Sequence, residues 1–159
     1  MFTVDTYDCF YRENKDRVYA YLLRMTRDVQ LAGDLTQESF ARCLSSYGRN
    51  GSNRALLYTI ARNAALDAVR KRREEALGDN EEIASAANPE CQLMEKEAFG
   101  RMLDAIGKLN PVDRELISLL ATEAFSYREI GKLLKISETN VKVRVHRARL
   151  RLKALLDAQ

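Results

Sequence analysis

The chain has 159 residues, enough for one ordinary domain or two small ones. Its 46% hydrophobic and 31% charged residues exclude a disordered or fibrous protein. No apolar run approaches the ~18–20 residues of a membrane span, and no secretory leader precedes the first helical pattern, so a cytoplasmic protein is expected.

The net charge of +3 hides a strong partition. Residues 2–73 carry 13 basic and 8 acidic side chains, residues 74–98 carry 1 and 8, and residues 99–159 carry 12 and 7, so two basic blocks flank an acidic segment. In chain order, apolar residues recur at helical spacing from Tyr7 to Met25, from Leu31 to Leu44 and from Leu56 to Val69. A turn-like stretch, "SSYGRNGSN" (Ser45–Asn53), separates the last two. The acidic, small-residue segment 74–98 reads as a tether that can start as helix; a flexible coil of that length has an r.m.s. span of ~25–30 Å. Helical pattern resumes near Cys91 and runs to about Leu109. Asn110 and Pro111 then form a helix start, with Asn110 as cap and Pro111 in the first turn. The expected fold is all-α: two small helical domains, 1–73 and 99–159, joined by an acidic linker, 74–98.

The last 34 residues hold the sharpest local signal. Ser126 to Leu134 predicts a short helix with Ile130, Leu133 and Leu134 on one face, and Lys135–Ser137 a tight turn. A longer helix then carries Val141, Val145, Ala148, Leu152, Leu155 and Leu156 along one stripe. Alternate valines hint at a strand, but "HRARLRLKALL" is rich in helix formers and Ser137 is a good cap, so helix is expected. Short helix, turn and longer basic helix make a helix-turn-helix, whose second helix enters a major groove. Gly131, unfavourable inside a helix, predicts close packing against that second helix.

At these residues the chain resembles region four of bacterial RNA polymerase sigma factors, within the extracytoplasmic-function (ECF) group: "LNPVDRELISLL…FSYREIGKLLKISETNVKVRVHRAR" follows the family pattern. Asn140 stands where Thr is usual, Val143 where Ser is common, and Gly131 where Ala is usual. "DLTQESFARCL" (Asp34–Leu44) and "LLYTIARNAALDAVRKRR" (Leu56–Arg73) resemble two helices of region two, with Leu56 in place of the usual Trp. Both domains are covered, about 130 residues of 159.

The resemblance implies a protein that binds core RNA polymerase, directs it to promoter DNA as duplex and as melted strand, and is silenced by an anti-sigma protein. It implies no catalysis and no cofactor or metal. For the upstream element, the basic helix offers Lys142, Val143, His146 and Arg147 on the face away from its apolar stripe. Arg and Lys suit guanine edges, and Val suits a thymine methyl. Asn140 is grouped with them. Arg128, Arg144 and Arg149 are placed for phosphates, which set register. For the downstream element, the resemblance places a base-capturing loop at residues 46–53, where Asn50 and Asn53 offer hydrogen bonds and Tyr47 a stacking face. Tyr58 is a second aromatic candidate there, and Arg62, Asn63, Arg70, Lys71, Arg72 and Arg73 would face the DNA backbone. The matching region-two helix implies polymerase docking by Asp34, Leu35, Gln37, Glu38, Phe40 and Arg42.

A stand-alone helix-turn-helix repressor, binding DNA as a dimer, is the alternative; it has no use for "DLTQESFARCL". An enzyme finds no support, since neither a phosphate-cradling Gly loop, a nucleophile elbow nor a metal-ligand cluster is present in the sequence. Cys9, Cys43 and Cys91 are too scattered for a zinc site or a disulfide framework, and reduced thiols are expected. The acidic segment is expected either to restrain the two basic blocks from indiscriminate DNA binding or to let them fold on each other; the first role is the one tested. Replacing its eight acids with Ser and Gln then raises affinity for unrelated duplex DNA in a filter-binding titration; an unchanged affinity refutes this role.

Overall fold

The computed structural model describes residues 4–47, 53–79 and 94–158, and all regular structure among them is helical. The chain divides into two compact units, 1–84 and 85–159. No described helix is long and apolar enough to cross a membrane.

The first unit is built from α1 (Val4–Thr26), α2 (Val29–Ser45) and α3 (Asn53–Asp79), each packed on the other two. The α1–α2 corner takes only two residues. Arg27 adopts a left-handed conformation, φ 58°, and its N–H donates to the Leu23 carbonyl at 2.7 Å. Asp28 caps α2, its carboxylate accepting from the Leu31 N–H at 3.1 Å. The core collects Val18, Tyr21, Leu22 and Met25 from α1, Ala32, Leu35, Phe40 and Cys43 from α2, and Leu57, Tyr58, Ala61 and Ala65 from α3. The α3 set recurs at three- and four-residue steps, so one stripe faces inward. Small alanines on that stripe allow close approach of the helix backbones.

The second unit contains α4 (Met94–Lys108), α5 (Pro111–Leu120), α6 (Tyr127–Leu134) and α7 (Glu138–Asp157), with α7 packed on the other three. Three of these helices begin as the sequence predicts. Asn110 caps α5, with Pro111 in its first turn. Ser126 and Glu129 form a reciprocal capping box on α6. Ser137 caps α7, accepting from the Asn140 N–H at 3.1 Å. Arg114 donates to the carbonyls of Gly107 and Leu109, so a cation closes the C-terminal end of α4.

The α6–α7 turn is the tightest point of this unit. Lys135 takes the left-handed conformation, φ 60°, and the Ile136 N–H donates to the Gly131 carbonyl at 2.9 Å. A Cβ on Gly131 would lie 2.7 Å from the Ile136 carbonyl oxygen and 3.5 Å from Val141. The glycine is therefore a close approach of backbone to backbone, and it lets α7 seat on α6. Ile106, Leu109, Ile117 and Ala148 make a core cluster, with Leu152 and Leu155 packed against it.

The acidic segment read as a tether, 74–98, has the helical start that its sequence allows. α3 continues to Asp79 and α4 begins at Met94, so both ends of the acidic segment are helical. Glu74, Glu75 and Ala76 are strong helix formers and carry α3 past the point where the charge changes sign. The ~25–30 Å coil span therefore does not apply to the whole segment. Residues 80–93, including Cys91, lie outside the described residues. The Cys9 thiol is exposed and that of Cys43 is buried, and burial raises the Cys43 thiol above its ordinary pKa.

Candidate nucleic-acid interface

α7 separates its two tasks by face. Val141, Val145 and Ala148 are buried against α4, α5 and α6, with Leu152 half-buried one turn on. Asn140, Lys142, Val143, His146, Arg147 and Arg149 are exposed, as is Arg128 on α6, and Arg144 is half-buried at the margin. Val143 keeps 42% of its surface open, so the most apolar of the candidate base contacts is available to a ligand. Leu150 is exposed on this outward face, as its register predicts, and Thr139 and Lys153 share it; the same 3.6-residue period that located the buried stripe would have found these last two. Lys142 lies 3.9 Å from Glu138 one turn back, an exposed pair that adds little to stability.

Arg151 has a different role. It pairs with the Asp113 carboxylate, which is buried at 7% exposure and also accepts from the Asn110 side-chain amide at 3.0 Å. The start of α5 and the C-terminal half of α7 are tied through that one carboxylate. Burial leaves Asp113 dependent on these donors, since a charge removed from water needs partners.

Of the docking candidates on α2, Asp34, Gln37, Glu38 and Arg42 are exposed; they lie at i, i+3, i+4 and i+8 and form one strip. Arg42 and Glu38 pair across one turn. Gln37 donates to the Tyr11 hydroxyl at 3.2 Å, anchoring the strip to α1. Leu35 and Phe40 do not belong to it: they retain 7% and 3% of their surface. The expectation that they dock on a partner is corrected by their register, for Ala32, Leu35, Thr36, Ser39, Phe40 and Cys43 make up the buried stripe of α2. Phe40 sits between the rings of Tyr11 (centroids 4.7 Å) and Phe10 (6.1 Å), and its carbonyl accepts from the Tyr7 hydroxyl at 2.6 Å.

The downstream-element candidates divide three ways. Asn63, Arg70, Lys71 and Arg73 are exposed on α3 and Arg62 is half-buried. Tyr58 is corrected: at 1% exposure it packs edge to face on Tyr21 and offers no stacking surface. Burial pushes its phenol up to about 12, against the opposing pull of Arg24, Arg17 and Arg54. Arg72 is also corrected as a backbone contact. It reaches back to the α1–α2 corner, donating to the Thr26 carbonyl and the Asp28 carboxylate, both at 2.8 Å. Its position on the inward stripe of α3, after Leu57, Ala61 and Ala65, is the signal that separates it from Arg70 and Arg73. Asn53 is the first residue of α3, and Asn50 lies outside the described residues. Tyr47 is half-buried after α2, with its ring 5.3 Å from Tyr7 and 5.2 Å from Phe10. Burial, with Cys43, Tyr11 and Tyr47 nearby, raises Tyr7 to about 12.

Comparison with known proteins adds an independent line. The family model described as Sigma-70 region 2 matches residues 10–75, and that of Sigma-70, region 4 matches residues 99–152. RNA polymerase sigma factor CarQ of Myxococcus xanthus is 34% identical, over 96% of this chain and 90% of its own. ECF RNA polymerase sigma factor SigM of Bacillus subtilis is 35% identical, over 96% of each. The solved sigma factor RpoE in complex with the anti-sigma factor NepR from Bartonella quintana shares the fold, with a TM-score of 0.76 at 24% identity over 97% of this chain and 98% of that one.

The divided faces of α2 are separable by mutation. Phe40→Ala should lower unfolding stability by about 3–5 kcal/mol in a denaturant titration, and Leu35→Ala by about 2–5 kcal/mol. Asp34→Ala should stay within about 0.5 kcal/mol of the parent chain. Equal, small losses at all three positions would contradict the burial described.

Proposed function

Because the chain belongs to the ECF family of bacterial RNA polymerase sigma factors, we propose that it binds core RNA polymerase through the outer strip of α2 and brings two DNA-binding surfaces to a promoter. The observation that carries this reading is the free outward face of α7: Val143, His146 and Arg147 are exposed, while Val141, Val145 and Ala148 hold the helix in place. A recognition helix needs that division, since residues that hold it cannot also read bases.

In the second unit, the N-terminal half of α7 lies in the major groove of the upstream element. Lys142, Val143, His146 and Arg147 meet base edges, with Asn140 beside them; Arg128, Arg144 and Arg149 meet phosphates. In the first unit, Arg62, Asn63, Arg70, Lys71 and Arg73 on α3 face the downstream element. Asn50 and Asn53, in and beside the 46–53 loop, reward an unpaired base with hydrogen bonds, and Tyr47 borders them. Asp34, Gln37, Glu38 and Arg42 supply a charged, exchangeable docking strip for polymerase. Arg72, Leu35, Phe40 and Tyr58 hold these surfaces in place and touch neither partner.

The protein acts as a non-enzymatic initiation factor in the cytoplasm, without cofactor or metal, and is held silent by an anti-sigma protein. Support for the last point is that the RpoE and CnrH structures, which share its fold, are complexes with anti-sigma factor NepR and with the cytosolic domain of CnrY.

Adding the purified chain to core polymerase should produce discrete transcript starts on genomic DNA that share an upstream and a downstream element; no new starts would refute the assignment. At such a promoter Arg147→Ala should cost about 1–3 kcal/mol of discrimination at one base pair. An equal loss on every sequence would make Arg147 a phosphate contact instead.

A further inference from the structure

The fully buried side chains of α7 lie along one narrow stripe: Val141, Val145 and Ala148. Contacts gathered on one line resist tilting of a rod better than rotation about its own axis. A contact to one side of that line resists rotation. Arg151 supplies such a contact. It stands ten positions after Val141, and at ~100° per residue that places it about 80° around α7 from the stripe. Its guanidinium pairs with the Asp113 carboxylate of α5. The two members differ in exposure, with 55% of the Arg151 side chain open and 7% of Asp113. Asp113 is held independently of the cation: its N–H donates to the Asn110 side-chain oxygen at 2.9 Å, and its carboxylate accepts from the Asn110 amide at 3.0 Å. The anchor is therefore fixed on α5, and the long cation reaches to it from α7.

Arg147 stands four residues before Arg151 and Arg144 seven, so the three share one side of α7. The lateral pair thus lies one turn from a residue assigned to base edges. Magnitudes decide whether this matters. Side-chain tips stand about 5–6 Å from a helix axis, so a roll of ~15° shifts them by about 1.4 Å. Good N–H···O bonds occupy a window of only ~0.5 Å, from ~2.7 to ~3.2 Å. A roll of that size loses a base contact, whereas a contact to phosphate carries no sequence information to lose.

We propose that Asp113 and Arg151 are positioning residues for recognition of the upstream element. Their pair sets the roll of α7, and through it the register of Lys142, Val143, His146 and Arg147 against base edges, while Arg151 itself touches no DNA. The proposal rests on the reading of α7 as the recognition helix. It adds a determinant of specificity on α5, outside the helix-turn-helix.

The test uses the full chain with core polymerase and barcoded duplex templates, randomised over the upstream element of one promoter found by transcript mapping. Sequencing the transcripts gives the base preference at each position as a ratio between templates. A variant that merely unfolds loses affinity for every template by the same factor, its folded fraction, so the ratio is blind to stability alone. Arg151→Gln and Asp113→Asn should each reduce the preference about tenfold at positions read by α7, towards the lower end of what one well-made base contact discriminates. Arg151→Lys keeps a cation for Asp113 and should keep the parent preference. Anisotropy titrations of the full chain on an unrelated duplex at stepwise salt supply a second readout. A phosphate contact at Arg151 would contribute about 0.9 to the slope of log affinity on log salt, and Arg151→Gln should instead keep the parent slope. With the parent preference intact, any of three results overturns the proposal alone: an unchanged preference in Asp113→Asn or Arg151→Gln, an Arg151→Lys loss equal to that of Arg151→Gln, or a slope lowered by about 0.9. A parent chain with no upstream preference overturns the recognition-helix reading and the proposal with it.

Discussion

A helix that must be held by its own protein and also touch another molecule can give only part of its circumference to the core. Under the proposed function, α7 works under that constraint. Twenty residues long, it buries three side chains fully, Val141, Val145 and Ala148, and seats them on three other helices. Each such burial contributes on the order of 1.5–3 kcal/mol for a Val and less for an Ala, which is little anchorage for a long rod. Two further devices make up the difference. The bare backbone at Gly131 lets the α6–α7 turn close to van der Waals limits. The Asp113–Arg151 pair fixes the far half of α7 to the start of α5. Holding the rod at both ends and along one stripe leaves its outer face unencumbered.

The first unit meets the same constraint with different means. α2 and α3 each turn a continuous apolar stripe inward, and the residues between those stripes are the ones available to partners. Aromatic rings do much of the holding. Tyr7, Phe10, Tyr11, Phe40 and Tyr47 form one connected set where α1 meets the end of α2. The other end is closed by Arg72, whose two hydrogen bonds clamp α3 onto the α1–α2 corner. This pair is partly buried, with side-chain exposures of 24% and 29%, so it escapes some of the screening that makes surface pairs weak.

Helix positions, caps and the turn before α7 were legible in the sequence because they depend on local chemistry: a period of 3.6, a Ser or Asn at a cap, a Pro in a first turn. The errors came where residue type was allowed to outrank register. Leu35 and Phe40 lie inside a charged motif, yet their spacing from Ala32 and Cys43 assigns them to the core. Tyr58 is amphipathic and fits either a wet or a buried site, and only its packing partner Tyr21, 37 positions away in sequence, decides the matter. Arg72 was grouped with its neighbours as part of a basic run. A run of like charges is a property of sequence, whereas successive residues on a helix point about 100° apart, so the run divides among different surfaces. The helical ends of the acidic segment have a related cause: charge reverses at Glu74, but helix propensity does not.

Under the proposed function, two weak DNA grips on one chain have a consequence that neither has alone. A surface held mainly by phosphate contacts loses affinity steeply as salt rises and favours no sequence. Linking it to a second surface makes the second encounter intramolecular, at an effective concentration set by the connection between them. The connection here is bounded by two helices and is strongly acidic in sequence. At physiological salt its field reaches only about 8 Å, so under the proposed function it repels DNA that comes close to it. Under the proposed function, selectivity then comes from the requirement that both elements be present at a separation the docked polymerase allows. An isolated match to either element meets only one grip, and one grip of this kind is too weak and too salt-sensitive to compete with the rest of a genome.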